Sequence, residues 1–333
     1  MQHERIHWVD TLKGIGIILV ILGHTPALNI KGYIFSFHMP LFFFISGYLF
    51  QTNKYPTFIN FLNKKGKSLL IPYLAFSVIS ILANSVLSQA HIDIKPSLKA
   101  FFISTRNQIP FNEALWFLTC IFIVEVMFYL ISRVCKYDWL KLVFAIVIYL
   151  VGFKLFNNKE PQLPWNIDSA MTYLLYFALG YVFKKWNITN LQFFKYASWF
   201  CLMITFVQIV RPDVFYIIIN KLHISQNINI IFTTMISITA FITIAKSMSG
   251  SRHLKYLGQN SLSFFALHLA VGFPIILNIF AILNVNVGAN ATNIMGLIFV
   301  ALTILLLIPV VKVLNTYFPI VLGNVEWKKK FKS

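Results

Sequence analysis

Lys13 and His24 stand eleven residues apart in an otherwise apolar stretch that opens with Asp10. On a helix this spacing places them about 20° apart around the axis and about 16 Å apart along it, so they share one stripe, with Asp10 close to it. A cation at one end and an imidazole at the other suit a long anionic ligand. Its charged head would rest at Lys13 and its reactive end would reach His24, a length on the order of a phosphopantetheine arm. Histidine is the side chain best matched to general-base work near neutral pH. Plainer roles fit the same residues. Lys13 can be a snorkelling anchor, Asp10 a dipole-matched helix start, and His24 a hydrogen-bonded interior histidine. Gly14 and Gly16 follow no strand, which excludes a dinucleotide loop and leaves close helix packing as their reading.

Other ionisable residues sit where an apolar chain should have none, and such positions default to a functional reading. His38 lies in the run from Phe35 to Leu49, two residues before Pro40, where a kink frees backbone carbonyls that need partners. A short hairpin between Leu28 and Tyr33 brings His24 and His38 to similar depth. Glu113 and Asp168 open later apolar stretches, and each also fits a solvated helix start; Trp116 follows Glu113 closely. Glu125 and His268 lie deeper and read as paired groups joining helices. Lys64, Lys65 and Lys67 gather at the start of a further stretch. Cys120, Cys135 and Cys201 show neither metal-ligand nor disulfide spacing and read as structural, and the histidines and carboxylates form no spaced ligand set, so no metal is expected.

The elements that must position these residues are membrane helices. Hydrophobic residues make up 58% of the 333 residues and charged ones only 11%, with a mean hydropathy of +0.73. Soluble domains carry about 25% charged residues, so lipid is the expected solvent. About ten stretches are long enough to cross it, near 11–28, 33–50, 67–89, 113–132, 138–156, 167–183, 192–210, 227–246, 260–283 and 292–314. The expected fold is all-α, a bundle of about ten transmembrane helices forming one domain over residues 1–333. The first stretch has no small-residue cleavage site and is followed at once by another, so it reads as a retained helix. The longest link, Ser88 to Asn112, has room for a short interfacial helix.

The net charge of +18 would suit nucleic acid, but its distribution points elsewhere. With the N-terminus in the cytoplasm, 20 of the 28 Lys and Arg fall on inner segments, among them Lys13, Lys64, Lys65, Lys67 and Lys328 to Lys330. The outer segments hold the other 8, such as Lys95, Arg106, Lys159 and Lys221. The bias predicts both termini on the cytoplasmic side and accounts for most of the charge without nucleic acid.

Five segments together resemble the membrane-bound acyltransferase 3 family, in its fucose 4-O-acetyltransferase-like branch. They are the basic residue and histidine at Lys13 and His24, FSFHMPLFFFISGYL from Phe35, Lys64-Lys65-Gly66-Lys67 leading to Pro72, Ala114 to Leu118, and Gly258 to Leu262 leading to His268. The resemblance covers nearly the whole chain, with lysine at positions where the family more often has arginine, which lacks nothing in charge but loses arginine's planar fork. It implies a multi-pass enzyme of a bacterial cytoplasmic membrane that takes an acyl group, usually acetyl, from cytoplasmic acyl-CoA and delivers it to a hydroxyl of an extracytoplasmic or lipid-linked sugar. His24 would be catalytic, and Lys13 with Lys64, Lys65 and Lys67 would hold the donor phosphates. Glu113, His38 or Asp168 would orient His24 or contact the sugar, with Glu113 first because its span carries Trp116. Acyl-CoA is then a substrate and no permanently bound cofactor is expected. A glycan transporter or flippase, or a succinyl transferase, fits the buried ionisable residues as well.

Overall fold

The computed structural model describes residues 5–25, 30–87, 94–156, 163–212, 215, 226–285 and 293–324. Lys159, Lys221 and Lys328 to Lys330, used above for the charge bias, lie outside the described residues, as do the side chain of Lys95 and Leu28 of the first hairpin.

Every regular element among the described residues is helical. The helices are α1 (His7–His24), α2 (Lys31–Leu49), α3 (Phe58–Lys65), α4 (Ile71–Leu87), α5 (Ile94–Ile103), α6 (Trp116–Val134), α7 (Asp138–Phe156), α8 (Ile167–Lys185), α9 (Gln192–Val210), α10 (Gln226–Ser247), α11 (Arg252–Gln259), α12 (Ser261–Leu267), α13 (Phe273–Ile282) and α14 (Asn293–Tyr317). In hydrocarbon every backbone polar group must be satisfied within the protein, and apolar runs of about 20 residues do this as helices. Two π turns, Gly66–Leu70 and His268–Gly272, join α3 to α4 and α12 to α13 without breaking the helical path. The link expected to hold an interfacial helix contains α5.

Eight helical segments among the described residues are long and apolar enough to cross a membrane. Two of the ten expected stretches, 11–28 and 167–183, are not among them; they correspond to α1 and α8, of 18 and 19 residues. Both carry charged or hydroxylated residues and both lie inside the bundle. α1 buries Leu12, Ile17, Val20 and Ile21, and α8 buries Leu174, Phe177, Ala178 and Tyr181. Interior helices meet protein on most sides and tolerate more polar composition than lipid-facing ones. α7 and α9 are the counterpart, with exposed Phe144, Val147 and Leu150 on one and Trp199, Phe200 and Phe206 on the other. These faces need lipid.

Glycines set the closest crossings. A Cβ on Gly47 of α2 would lie 1.9 Å from the carbonyl oxygen of Phe177, and one on Gly180 of α8 would lie 2.0 Å from that of Phe44. α1 crosses α11 in the same reciprocal way, with Gly14 against Leu254 and Gly258 against Asp10. Small residues let backbones approach where lipid provides no hydrophobic drive for helix association. Gly14 is therefore a packing residue, and Gly16 likewise faces the Phe42 ring.

Pro40 sits inside α2 and cannot donate to the carbonyl of Ser36. The hydroxyl of Thr234 on α10 donates to that carbonyl instead, at 3.0 Å. The helix thus passes through its proline with the freed acceptor satisfied by a neighbour. Two apolar cores flank this region, one built on α2, α6, α8 and α10, the other on α1, α4, α12, α13 and α14. α1 contributes to both, and Trp116 and Phe117 touch both. The seam between them holds the site.

Candidate active site

His24 is the last residue of α1, so its ring emerges where the helix stops. It lines a cavity of about 380 Å³, within the size range of small-ligand sites, roughly 300 Å³ and above. The other walls are Phe35, His38 and Met39 of α2, Arg106 and Asn107 of the loop after α5, Glu113, Ala114 and Trp116 at the start of α6, Tyr173 of α8 and Phe265 of α12. Four expected site residues, His24, His38, Glu113 and Trp116, therefore meet in one place.

The imidazoles share one arrangement. His24 Nδ1 lies 2.8 Å from the carbonyl of Val20, and His38 Nδ1 lies 2.8 Å from that of Ile34. His268 Nδ1 lies 2.6 Å from the carbonyl of Phe265. A carbonyl only accepts, so each Nδ1 donates its proton and each neutral ring keeps its lone pair on Nε2. For His24 this is the tautomer that a general base needs. Its ring stands edge-on to His268, with centroids 5.2 Å apart, and Phe35 bridges His24 and His38 at 5.7 and 5.4 Å. His268 is fully buried, and its Nε2 has no hydrogen-bond partner among the described residues. Of the two deeper residues read as paired groups joining helices, Glu125 pairs with Lys65 and His268 faces His24. His268 sits on the π turn beside His24, an irregularity that often marks a functional position.

Asn166 lies behind the wall formed by Arg106 and Trp116 and ties its two sides together. It takes a left-handed conformation with φ 57°, which asparagine tolerates better than most residues. Its Oδ1 accepts from the backbone N–H of Arg106 at 2.6 Å. Its Nδ2 donates to the carbonyl of Ser104 at 2.6 Å and to the Thr119 hydroxyl at 3.1 Å. One buried side chain thereby fixes the loop that carries Arg106 to the helix that carries Trp116. The Arg106 guanidinium lies 5.8 Å from the Trp116 ring centre, and no carboxylate among the described residues forms an ion pair with it. Trp116 and Tyr173 face one another at 5.8 Å. Arg106, Asn107, Tyr173 and His268 were missed as site residues. A left-handed asparagine and a π turn are features of backbone geometry that residue types alone do not announce.

Asp168 opens α8 but does not line this cavity; its Oδ1 is buried and without a partner among the described residues. Lys13 lies at the other end of α1, within electrostatic reach of Arg5, Asp10 and Lys65. Lys65 donates to Glu125 Oε1 at 2.7 Å, with both side chains mostly buried. Lys64 lies 5.8 Å from the Tyr55 ring, and Lys67 is exposed on the π turn. Among the described residues no group of histidines, cysteines and carboxylates is arranged to hold a metal ion.

A family model described as an acyltransferase domain, that of the acyltransferase 3 family, matches residues 6–312. The chain belongs to this family. No curated protein and no solved structure is found to match it.

Proposed function

We propose that this member of the acyltransferase 3 family is a membrane O-acyltransferase that moves an acyl group, acetyl by preference, from cytoplasmic acyl-CoA to a sugar hydroxyl. The sugar is extracytoplasmic or lipid-linked and belongs to a surface polysaccharide, and the enzyme works in the bacterial cytoplasmic membrane. The observation that carries this reading is the His24 tautomer: with Nδ1 held by Val20, Nε2 is the nitrogen left for chemistry in a cavity of ligand size.

In the proposed reaction His24 Nε2 takes the proton of the sugar hydroxyl as its oxygen attacks the thioester carbonyl. The tetrahedral intermediate collapses, the carbon–sulfur bond breaks, and the CoA thiolate leaves with the proton that His24 returns. The products are the sugar ester and free CoA. Arg106 and Asn107 are the donors available to the oxyanion. Trp116 and Tyr173 offer aromatic faces to a sugar ring, and Glu113 offers an acceptor for its hydroxyls. His38 is the second candidate base at this depth, and Asp168 adds negative charge within electrostatic reach of Tyr173. Lys13, with Lys64 and Lys67, supplies cations for the donor phosphates, while Lys65 adds positive charge beside them with its own ammonium held by Glu125.

Mass spectrometry of surface glycans from a deletion strain and its parent tests the reading. Loss of one acetyl ester per repeat unit supports it, and loss of a succinyl ester reassigns the acyl group. Loss of the whole glycan with acylation intact on its precursors would replace the enzyme with a transporter or flippase.

A further inference from the structure

A second cavity, of about 520 Å³, lies at the opposite end of α2, α6 and α8. Along α6, Trp116 lines the first cavity and Arg133 the second, about 25 Å apart at 1.5 Å per residue. The end concerned is the one that the charge bias assigns to the cytoplasm. Four cations line this cavity, Arg133, Lys136, Lys141 and Lys185, against a single carboxylate, Asp138. Lys141 is buried and donates to Asp138 Oδ1 at 2.7 Å and to the Tyr181 hydroxyl at 3.1 Å, and that hydroxyl donates to Asp138 in turn. The carboxylate is thus engaged by Lys141 and Tyr181. Arg133, Lys136 and Lys185 form no ion pair with a carboxylate among the described residues. The hydroxyl of Ser132, also in the wall, is buried without a hydrogen-bond partner among the described residues.

We infer that this cavity binds the phosphate headgroup of an anionic phospholipid. A general excess of inner lysines explains exposed cations at a membrane rim. It does not explain an orphan hydroxyl buried in the wall of the same cavity. Three unneutralised cations and an unused hydroxyl match the charge and the acceptor oxygens of a phosphate. The rim identifies the source of that phosphate. Tyr137, Trp139 and Trp186 are each more than half exposed beside the cavity, and aromatic residues of these types mark the headgroup level of a bilayer. The reacting donor is a poor occupant, because the bundle between the two cavities is filled. Phe50 packs on Phe128 at 5.6 Å and on Phe177 at 5.4 Å, and Phe128 packs on Tyr181 at 5.0 Å. A pantetheine arm starting from this cavity would have to displace that aromatic plug to approach His24.

The test uses the purified full-length protein in nanodiscs of phosphatidylcholine alone and of phosphatidylcholine with phosphatidylglycerol, read by native mass spectrometry and thermal unfolding. Phosphatidylglycerol should be retained on the wild type and raise its unfolding temperature. Arg133→Ala/Lys136→Ala/Lys185→Ala should weaken that retention by about 100-fold, since each cation near an anionic membrane surface contributes about fivefold. Lys154→Ala/Lys195→Ala/Lys312→Ala, which removes three exposed cations elsewhere, should retain the lipid as the wild type does. Equal loss in both triple variants, or no preference for phosphatidylglycerol, would overturn the site. Displacement of the lipid by inorganic phosphate or by CoA would overturn the lipid assignment and give the cavity to a soluble phosphate.

Discussion

The rings of His24 and His268 meet edge to face with their centroids 5.2 Å apart, and the buried Nε2 of His268 has no other partner among the described residues. His24 becomes an imidazolium as it takes the hydroxyl proton, and a neutral imidazole whose ring centre lies 5.2 Å away favours that charged state over the neutral one. His268→Phe keeps a ring for the edge contact and removes the lone pair. It should lower kcat about tenfold or more while leaving KM for both substrates in place. A fall in expression or unfolding temperature with kcat per folded enzyme unchanged would make His268 a packing residue only.

Asn166 carries the second prediction. Replacing it with Ala removes the acceptor for Arg106 and the donors to Ser104 and Thr119, and places alanine at φ 57°. Buried groups left unpaired cost about 1–3 kcal/mol each before relaxation. Thermal unfolding should show a loss of about 2 kcal/mol or more. KM for the sugar should rise more than KM for acyl-CoA, because the loop held by Asn166 belongs to the proposed sugar wall. Equal effects on both substrates would contradict that division.

Lys65 and Lys13 should separate. Glu125→Gln leaves Lys65 mostly buried without its counter-charge, a change that typically costs about 3 kcal/mol or more. Unfolding should show this whether or not donor is present. Lys13→Ala should instead raise the KM for acyl-CoA, and Lys13→Arg should be mild because arginine also contacts phosphate well. Donor affinity should fall as salt is added. If Lys13→Ala leaves the donor KM unchanged, the donor head belongs at Lys64 and Lys67.

Topology is testable at described positions. A cysteine placed at Asn53 should react with membrane-impermeant maleimide only after the inner face is opened, and one at Asn107 should react in intact cells. Cys120 and Cys135 are buried, and Cys201, which is partly exposed, is replaced by serine in the background protein. Labelling of the Asn53 position from outside would reverse the orientation drawn from the lysine and arginine bias.

What the sequence made legible follows from what membranes penalise. A charged or imidazole side chain in hydrocarbon is costly enough to stand out, so His24, His38 and Glu113 were visible, and the cavity gathers all three. Helical content followed from apolar length. α1 and α8 were read as spans in the same way, and as interior helices they are the less apolar ones, outside the eight segments long and apolar enough to cross a membrane. Glu125 was rightly seen as one half of a structural pair, but its partner is Lys65, sixty residues away in the chain, and no periodicity links them. The roles of Asn166 and His268 depend on a left-handed backbone and a π turn. Both are tertiary outcomes without a residue pattern of their own.

The proposed chemistry stands on His24 as the base for acyl transfer. The direct measurement is thiol release from labelled acyl-CoA by purified protein, with and without a sugar acceptor, for the wild type, His24→Ala and His38→Ala. The account predicts acceptor-dependent release by the wild type and a loss of about 100- to 10,000-fold in His24→Ala, with normal folding and donor binding. His38→Ala should lose less. Near-normal turnover by a well-folded His24→Ala protein would contradict the assignment of the base. A wild-type protein that neither binds nor consumes acyl-CoA in the presence of acceptor would contradict acyl transfer itself.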